Sequence, residues 1–308
     1  MNPGPIPLVV AVVGHRDPRP SALPRLRQAL QQDLQALITA LPHTPLLMLN
    51  GLASGMDSEA AEVFLALRDQ QAGSQEHRLV AALPKQPQAY RQDFAPGAEL
   101  ERFERLLEAC DAVLHPGNCP ELRGEGPLGQ DLPSPQCYGQ QGLFLVRHAY
   151  LVLAFNNGVE TMEIGGTSQT VALQNGEVHP LFLSVEEVIA ALEPGALIEY
   201  DTPRFKNQLP AGIEQPPRRC WLQARPCSDL SDLLAIPRRI ERCNRAMVRH
   251  ALPPEQQAVA AERLHHRLAI AVVLLGLSLG LVLAQLPWAW LALSVMAAAP
   301  ERAPALPQ

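Results

Sequence analysis

The sequence predicts a doubly wound α/β domain built on a parallel sheet over residues 1–203. Short apolar runs of strand length alternate with segments whose apolar residues recur at helical spacing, and no long hairpin pattern interrupts them. The runs are continuous and rich in β-branched residues, as in strands that are covered on both faces. A chain of 308 residues with 47% hydrophobic and 18% charged residues can bury such a core.

The predicted elements alternate along the chain. The strands are 8–13, 46–49, 78–84, 111–115, 150–155, 178–183 and 196–201. Helical spacing covers 24–41, 60–67, 99–110 and 138–149, and another helix opens at Gly165-Gly166-Thr167. We expect loops at 88–94 and 116–135; the second is rich in proline and glycine and long enough to cover a pocket.

Three polar or glycine-containing turns follow predicted strands. In a parallel sheet the carboxyl ends of the strands meet at one edge, where ligands bind near the switch in strand order. These turns, with the asparagine that ends a further strand, supply the candidate ligand-binding residues: Gly14, His15, Arg16, Gly51, Ser54, Gly55, Asp57, Asn156, Gly165, Gly166, Thr167 and Ser168.

The residue types at these turns suit a phosphate group. Glycines permit close approach of the backbone, a guanidinium at Arg16 pairs with phosphate oxygens, and a helix that starts at Thr167 offers N–H groups. Ser54 or Asp57 could cap the second helix, or Asp57 could hold a ribose hydroxyl. Each turn alone also fits a capped helix or a solvated loop. The three together favour a nucleotide pocket.

One turn resembles a known family. Asn50-Gly51-Leu52-Ala53-Ser54-Gly55-Met56-Asp57 with Ala60-Ala61 is similar to the SGLAxGxDxxA turn of the DNA-processing Smf/DprA proteins, which belong with the LOG proteins in the SLOG superfamily of Rossmann-like domains. The similarity extends through Gly14-His15-Arg16, Leu83-Pro84 and Gly165-Gly166-Thr167. It implies binding of a nucleotide-derived ligand, such as an ADP-ribose derivative or a cyclic nucleotide. It also implies a sensor role, because SLOG domains fused to transmembrane segments are proposed sensors in antiphage and nucleotide-signalling systems.

The chain departs from the LOG pattern PGGxGTxxE at the positions that serve catalysis. Ile164 replaces the proline, the third glycine is absent, and no glutamate follows at the family's spacing. The resemblance therefore implies binding without turnover, and we assign no catalytic residue and no cofactor. Two alternatives stay open. One is a LOG-like enzyme that hydrolyses a nucleotide N-glycosidic bond through Glu160 or Glu163, and the other is a membrane-tethered scaffold with an empty pocket.

The C-terminal third has a different pattern. Residues 204–227 predict a proline-rich linker and 228–267 a basic helical segment. Residues 268–299 carry no charge, which predicts a membrane span that crosses once or forms a short hairpin. The preceding arginines place the N-terminal domain in the cytoplasm, at the inner membrane.

The net charge and the cysteine content restrict the classes of partner that the chain is expected to bind. The net charge of -6 and the predicted anchor disfavour nucleic acid. Six cysteines without a C-x-x-C pair predict reduced thiols and no metal site. We expect the partners to be a nucleotide-derived small molecule, the membrane and further copies of the chain, because one helix cannot line a pore.

Overall fold

The computed structural model describes residues 4–70, 76–123, 134–159, 163–177, 194–205 and 218–250. The predicted strand at 178–183 and the predicted membrane segment at 268–299 lie outside the described residues. Among the residues that are described, no helix is both long and apolar enough to cross a membrane. The chain divides into two compact units, Met1–Met247 and Val248–Gln308.

A mostly parallel sheet forms the centre of the first unit. Its strands are β1 (Leu8–Gly14), β2 (Leu46–Asn50), β3 (Arg78–Ala82), β4 (Ala112–Leu114), β5 (Leu151–Asn156), β6 (Ala196–Asp201), β7 (Arg218–Leu222) and β8 (Arg225–Cys227). Their spatial order is β4-β3-β2-β1-β5-β6-β7-β8. The pairs from β4 to β6 are parallel, and β7 and β8 are antiparallel additions. The order reverses between β1 and β5, which confirms a Rossmann-like α/β fold.

Helices connect the strands. They are α1 (Leu23–Ala40), α2 (Met56–Gln70), α3 (Pro87–Tyr90), α4 (Ala98–Glu108), α5 (Pro120–Arg123), α6 (Ser134–His148), α7 (Thr167–Gln174) and α8 (Ala235–His250). One face of the sheet packs on α1, α2 and α4 through buried residues such as Leu34, Phe64 and Phe103. The opposite face packs on α6 and α7 through Leu143 and Leu173. Coverage of both faces explains why the strands are continuous apolar runs.

The predicted linker at 204–227 is wrong over its second half. β7 pairs with β6 along its length, from Tyr200↔Arg218 to Ala196↔Leu222, and β8 pairs with β7. Pro226 lies in β8, the outermost strand, where a residue without an N–H group is tolerated. The prolines of this stretch therefore mark the edge of the sheet as well as irregular chain.

The basic segment from residue 228 begins inside the folded unit, so the domain boundary predicted at 203 is too early. Glu241 of α8 is buried and accepts hydrogen bonds from the His43 N–H at 2.9 Å and the Thr44 hydroxyl at 2.9 Å. Asn244 is fully buried and exchanges two hydrogen bonds of 2.8 Å with the backbone of Ile6. These contacts fix α8 to residues at the start of β1 and β2.

Residues 88–94 form helical turns instead of the expected loop. They include all of α3 except its first residue, Pro87, and a 3-10 turn at Arg91–Asp93. The fully buried ring of Tyr90 packs edge-to-face on Phe94 and Phe103 at centroid distances of 5.0 and 5.4 Å. An aromatic anchor of this kind holds a short helical segment that has too few residues to form alone.

Candidate functional site

A cavity of about 210 Å³ lies at the carboxyl ends of β1 and β5, where the strand order reverses. The turn after β1, the first turn of α2, one face of α6 and the start of α7 surround it. Its lining residues are Val13, Gly14, His15, Arg16, Ala53, Asp57, Tyr138, Gln141, Gly142, Leu145, Glu163, Gly165, Gly166, Thr167, Ser168, Thr170 and Arg204. This is the position at which ligands bind in open α/β sheets.

The structure brings most of the predicted site residues to this cavity. The turn after β1 contributes Gly14, His15 and Arg16, α2 contributes Asp57, and the start of α7 contributes Gly165, Gly166, Thr167 and Ser168. Gly51, Ser54, Gly55 and Asn156 do not line it. Residues from three distant parts of the sequence thus share one wall, because the strands that precede them are parallel neighbours.

The four predicted residues outside the cavity lining support the turns behind it. Gly55 has a φ of +85°, and the Met56 N–H donates to the His15 carbonyl at 3.1 Å, so the α2 turn packs directly on the β1 turn. The carbonyl of Gly51 accepts from the Tyr90 hydroxyl at 3.1 Å. The hydroxyl of Ser54 donates to Glu99 on α4. These residues position the wall and do not form it.

Asn156 ends β5 and is buried beneath α7. Its side-chain amide donates to Glu199 at 3.3 Å, and its carbonyl oxygen accepts from the Ser168 hydroxyl at 3.4 Å. The Ser168 hydroxyl has one proton, which it shares between Asn156 and the nearer carbonyl of Val159, at 3.0 Å. Asn156 therefore orients the first turn of α7, although the sequence predicted that it contacts the ligand.

Arg16 is held between two aromatic rings at the mouth of the cavity. Its guanidinium carbon lies 5.6 Å from the centroid of Tyr138 and 6.0 Å from that of Phe94. It donates to the Tyr138 hydroxyl at 3.3 Å and to the Asp93 carbonyl at 3.4 Å. Lys85 forms the ion pair with the Asp93 carboxylate, at 2.7 Å. Asp93 is thus already paired, which leaves the charge of Arg16 available to an anion.

His15 is buried on the other side of the β1 turn. Its Nε2 accepts from the Asn157 N–H at 3.2 Å. Burial, and then the positive charge of Arg204, lower the pKa of His15, so its imidazole is neutral at neutral pH. Arg204 follows β6 and donates to Asp17 at 2.7 Å. The cavity therefore contains two guanidinium groups and a neutral histidine.

The N-terminus of α7 opens on the cavity. Gly166 is its N-cap residue, and no described side chain makes a capping hydrogen bond there. The Gln169 side chain accepts from the Gly165 N–H at 2.5 Å. Helix N-termini carry a partial positive charge and N–H donors, which suit a phosphate. The space beside Gly166 is open, since a Cβ there would have its nearest neighbour, the Glu163 carbonyl, 3.8 Å away.

Asp57 is the most perturbed acid of the site. Its side chain is buried, and burial raises the pKa to about 7, although the charge of Arg16 and backbone hydrogen bonds at Ala53 and Gly14 act in the opposite direction. Its Oδ1 has no hydrogen-bond partner among the described residues. A buried carboxylate oxygen without a partner is costly, and a hydroxyl donor from a ligand would satisfy it.

Two contributions to the site were not predicted from the sequence. Tyr138, Gln141, Gly142 and Leu145 lie on one face of α6, at the spacing i, i+3, i+4, i+7. That spacing, with polar and small residues at three of the four positions, is a signal that sequence reasoning could have used. Arg204 had no such signal, because it lies within the range expected to be a linker.

A second, open pocket of about 440 Å³ adjoins the cavity and shares Arg16, Tyr138 and Gly165 with it. Asp93 and Ser134 complete its lining. The described residues contain no group of three or more His, Cys, Asp or Glu side chains that could hold a metal ion. The two connected spaces together suit an elongated organic anion.

Comparison with known proteins gives weak similarities. No family model matches the sequence, and no curated protein does. DNA processing protein A (DprA) from Streptococcus pneumoniae is 20% identical, with 48% of this chain and 41% of that chain covered and a TM-score of 0.29. The structural-genomics target TM1055 is 15% identical, with 54% and 70% covered and a TM-score of 0.28. The fold assignment therefore depends on the strand order described above.

Proposed function

We propose that this chain is a membrane-anchored sensor that binds a nucleotide-derived anion in the cavity at the end of β1. The observation that carries the proposal is the convergence of Arg16 and the uncapped N-terminus of α7 on one small space, which Arg204 also lines. The guanidinium of Arg16 and the helix N-terminus supply positive potential that favours a phosphate group, whereas the charge of Arg204 is already paired with Asp17. Because Nε2 of His15 accepts from the Asn157 N–H, the neutral ring carries its proton on Nδ1, which can donate a hydrogen bond.

The unpartnered Oδ1 of Asp57 supports a ligand that brings a hydroxyl group as well as a phosphate. A ribose phosphate has both. The 210 Å³ cavity holds the phosphate and sugar, and the adjoining pocket beside Tyr138 holds the rest of the ligand, such as a base or a second phosphate. An ADP-ribose-type molecule or a cyclic nucleotide has the required length and charge.

The proposed response runs through the C-terminal part of the chain. Residues 268–299 anchor the protein in the inner membrane with the sheet domain in the cytoplasm. Ligand binding shifts the conformational equilibrium of an oligomer of the chain. The protein would then act as an effector of a bacterial nucleotide-signalling or antiphage system.

Isothermal titration calorimetry of the detergent-solubilised full chain tests the binding step. The panel contains ADP-ribose, cyclic mononucleotides, cyclic dinucleotides and nucleoside monophosphates. We expect saturable binding by one class and none by the corresponding nucleosides, because the phosphate supplies the charge that Arg16 and the N-terminus of α7 recognise. Absence of binding by every nucleotide, with cooperative unfolding intact, would overturn the proposal.

A second candidate function is hydrolysis of a nucleotide N-glycosidic bond. Glu163 lines the cavity, and the raised pKa of Asp57 is typical of a group that exchanges protons near neutral pH. Release of free base from a nucleoside monophosphate, lost in both Glu163→Gln and Asp57→Asn, would favour the enzyme. Binding of the same nucleotide without release of base would favour the sensor.

A further inference from the structure

Two cysteines face each other across the last hairpin of the sheet. Cys220 of β7 and Cys227 of β8 are partners in the antiparallel register. Directly opposed residues in such a pair project to the same face, with Cα atoms about 4.5–5.5 Å apart. Disulfides join residues whose Cα atoms are about 4.4–6.8 Å apart. The strands therefore need no shift for the two sulfur atoms to bond.

The two thiols are already in contact. The Cys220 side chain hydrogen-bonds to Cys227, and both side chains pack against the same face of the core. Cys220 is buried, whereas Cys227 is half-buried and lies on β8, the edge strand of the sheet. A solvent-borne reagent reaches Cys227 first, and Cys220 is the second sulfur.

We propose that Cys220 and Cys227 form a reversible oxidation site that a peroxide closes to an intramolecular disulfide. The Cys227 thiolate attacks one peroxide oxygen, the O–O bond breaks, and the leaving hydroxide takes up a proton to become water. The Cys220 sulfur then attacks Cys227 sulfenic acid and releases a second water. Two electrons pass from the thiols to the peroxide, and a small thiol reductant reverses the reaction.

The surroundings of Cys227 set the speed of this reaction. Burial, the neighbouring Cys220 and the carboxylates of Asp232 and Asp229 raise the pKa of Cys227. The thiolate is the nucleophile, so oxidation is slow at neutral pH and accelerates as pH rises. The site responds to sustained exposure to oxidant and not to brief pulses.

The hairpin is connected to the ligand cavity by hydrogen bonds. Trp221, next to Cys220, donates its indole N–H to Glu199 at 2.8 Å. The same carboxylate accepts from Asn156, which in turn accepts from Ser168 at the start of α7. A disulfide in the hairpin would therefore restrain Glu199 and Asn156, which orient the start of α7 at one wall of the cavity.

Peptide mapping of the full chain tests the proposal. The reduced protein is treated with hydrogen peroxide at about pH 8.5, near the ordinary pKa of a thiol, then alkylated in denaturant and digested with trypsin. The tryptic peptide 220–238 contains both cysteines and no other, because trypsin does not cut before Pro226. After oxidation we expect this peptide to carry no alkyl group and to be lighter by two hydrogen atoms than its reduced, unalkylated form. After reduction and a second alkylation it should carry two alkyl groups.

Serine variants and an internal control sharpen this test. In Cys220→Ser, Cys227 sulfenic acid persists and is trapped by dimedone. In Cys227→Ser, Cys220 stays available for alkylation. Cys243, an exposed thiol on α8, reports general oxidation. Two alkyl groups on peptide 220–238 of the oxidised wild type, or its linkage to another cysteine peptide, would overturn the proposal.

Discussion

Gly55 packs against the carbonyl group of Arg16 so closely that a Cβ atom at Gly55 would lie 2.5 Å from that oxygen. The contact joins the turn that begins α2 to the turn that ends β1, and the carbonyl of His15 lies at the same 2.5 Å distance. Arg16 takes its position at the cavity mouth from this junction. The glycine is therefore required by packing as well as by its positive φ.

Gly55→Ala should lower the free energy of unfolding by about 2–6 kcal/mol, since backbone strain and steric overlap each cost about 1–3 kcal/mol. Gly97→Ala is the matched control, because Gly97 also has a positive φ, +94°, with nothing within 4 Å of its Cβ position. The control should lose only about 1 kcal/mol. Urea unfolding measures both, and equal losses would show that the contact with Arg16 is not tight.

The raised pKa of Asp57 should make the free energy of unfolding depend on pH in an unusual way. Its pKa is raised from 3.8 to about 7 in the folded chain, so the folded state holds the proton over a range in which the unfolded state has released it. Stability contributed by the protonated carboxyl is complete below about pH 4 and is lost as pH rises towards 7.

Asp57→Asn removes this titration. Relative to the wild type, the free energy of unfolding of the variant should rise by about 1–3 kcal/mol when the pH is raised from 5 to 8, as expected for a pKa shift of this size. Urea unfolding at the two pH values measures the difference. If the free energies of unfolding of the wild type and the variant differ by the same amount at both pH values, Asp57 does not titrate in this range.

Arg16 should contribute to ligand affinity through its charge. Arg16→Gln keeps a polar side chain but removes the cation, so nucleotide affinity should fall about 10- to 100-fold, the value of a charged hydrogen bond of about 1.5–3 kcal/mol. Arg78→Gln is the control, because Arg78 is an exposed arginine paired with Glu76. Calorimetry measures both; parallel losses in the two variants would indicate a general effect of net charge.

Glu241 should hold α8 in the folded unit. Burial favours its neutral form, but hydrogen bonds from His43, Thr44 and Arg245 keep the pKa of Glu241 below its usual value. Its stabilising contribution is therefore present above about pH 4.5 and is lost as pH falls through the lower, folded-state value.

Glu241→Gln should cost about 1–3 kcal/mol at pH 7 and less as pH is lowered to about 3, the direction in which the wild-type carboxyl takes up a proton. Glu76→Gln, at a side chain that is 84% exposed, should change little at either pH. Urea unfolding at both pH values tests the pair. A cost that does not depend on pH would mean that packing, and not the carboxylate, carries the contribution of Glu241.

The sheet and its ligand edge could be predicted because local patterns determine them. β-branched runs such as Leu8 to Val13 have little alternative to a buried strand, and parallel strands bring the turns at Arg16, Asp57 and Gly166 to one edge without further information. The position of the cavity follows from strand order, which alternation with helices restricts strongly.

The unpredicted features depend on contacts between distant residues. Strand β7 contains Arg219, Cys220 and Trp221 instead of an apolar run, and its pairing depends on the open edge of β6. Anchoring of α8 depends on Asn244 meeting Ile6, 238 residues earlier in the chain. Helical spacing places Glu241 and Asn244 on one side of α8. It cannot indicate which backbone groups their side chains hydrogen-bond.

The substitution Gly166→Asp tests the central claim, an anion site at the start of α7, most directly. The open space beside Gly166 accommodates a side chain, and aspartate is a favoured N-cap residue, so the fold should keep its unfolding midpoint. Its carboxylate would take the place proposed for the phosphate. Gly166→Ser is the neutral control, which caps the helix without a charge.

Calorimetry on the full chain should show nucleotide binding by the wild type, binding within about tenfold of it by Gly166→Ser, and none by Gly166→Asp, since a carboxylate repels the phosphate that the helix N-terminus attracts. Equal nucleotide affinity of Gly166→Asp and the wild type would contradict an anion site at this helix.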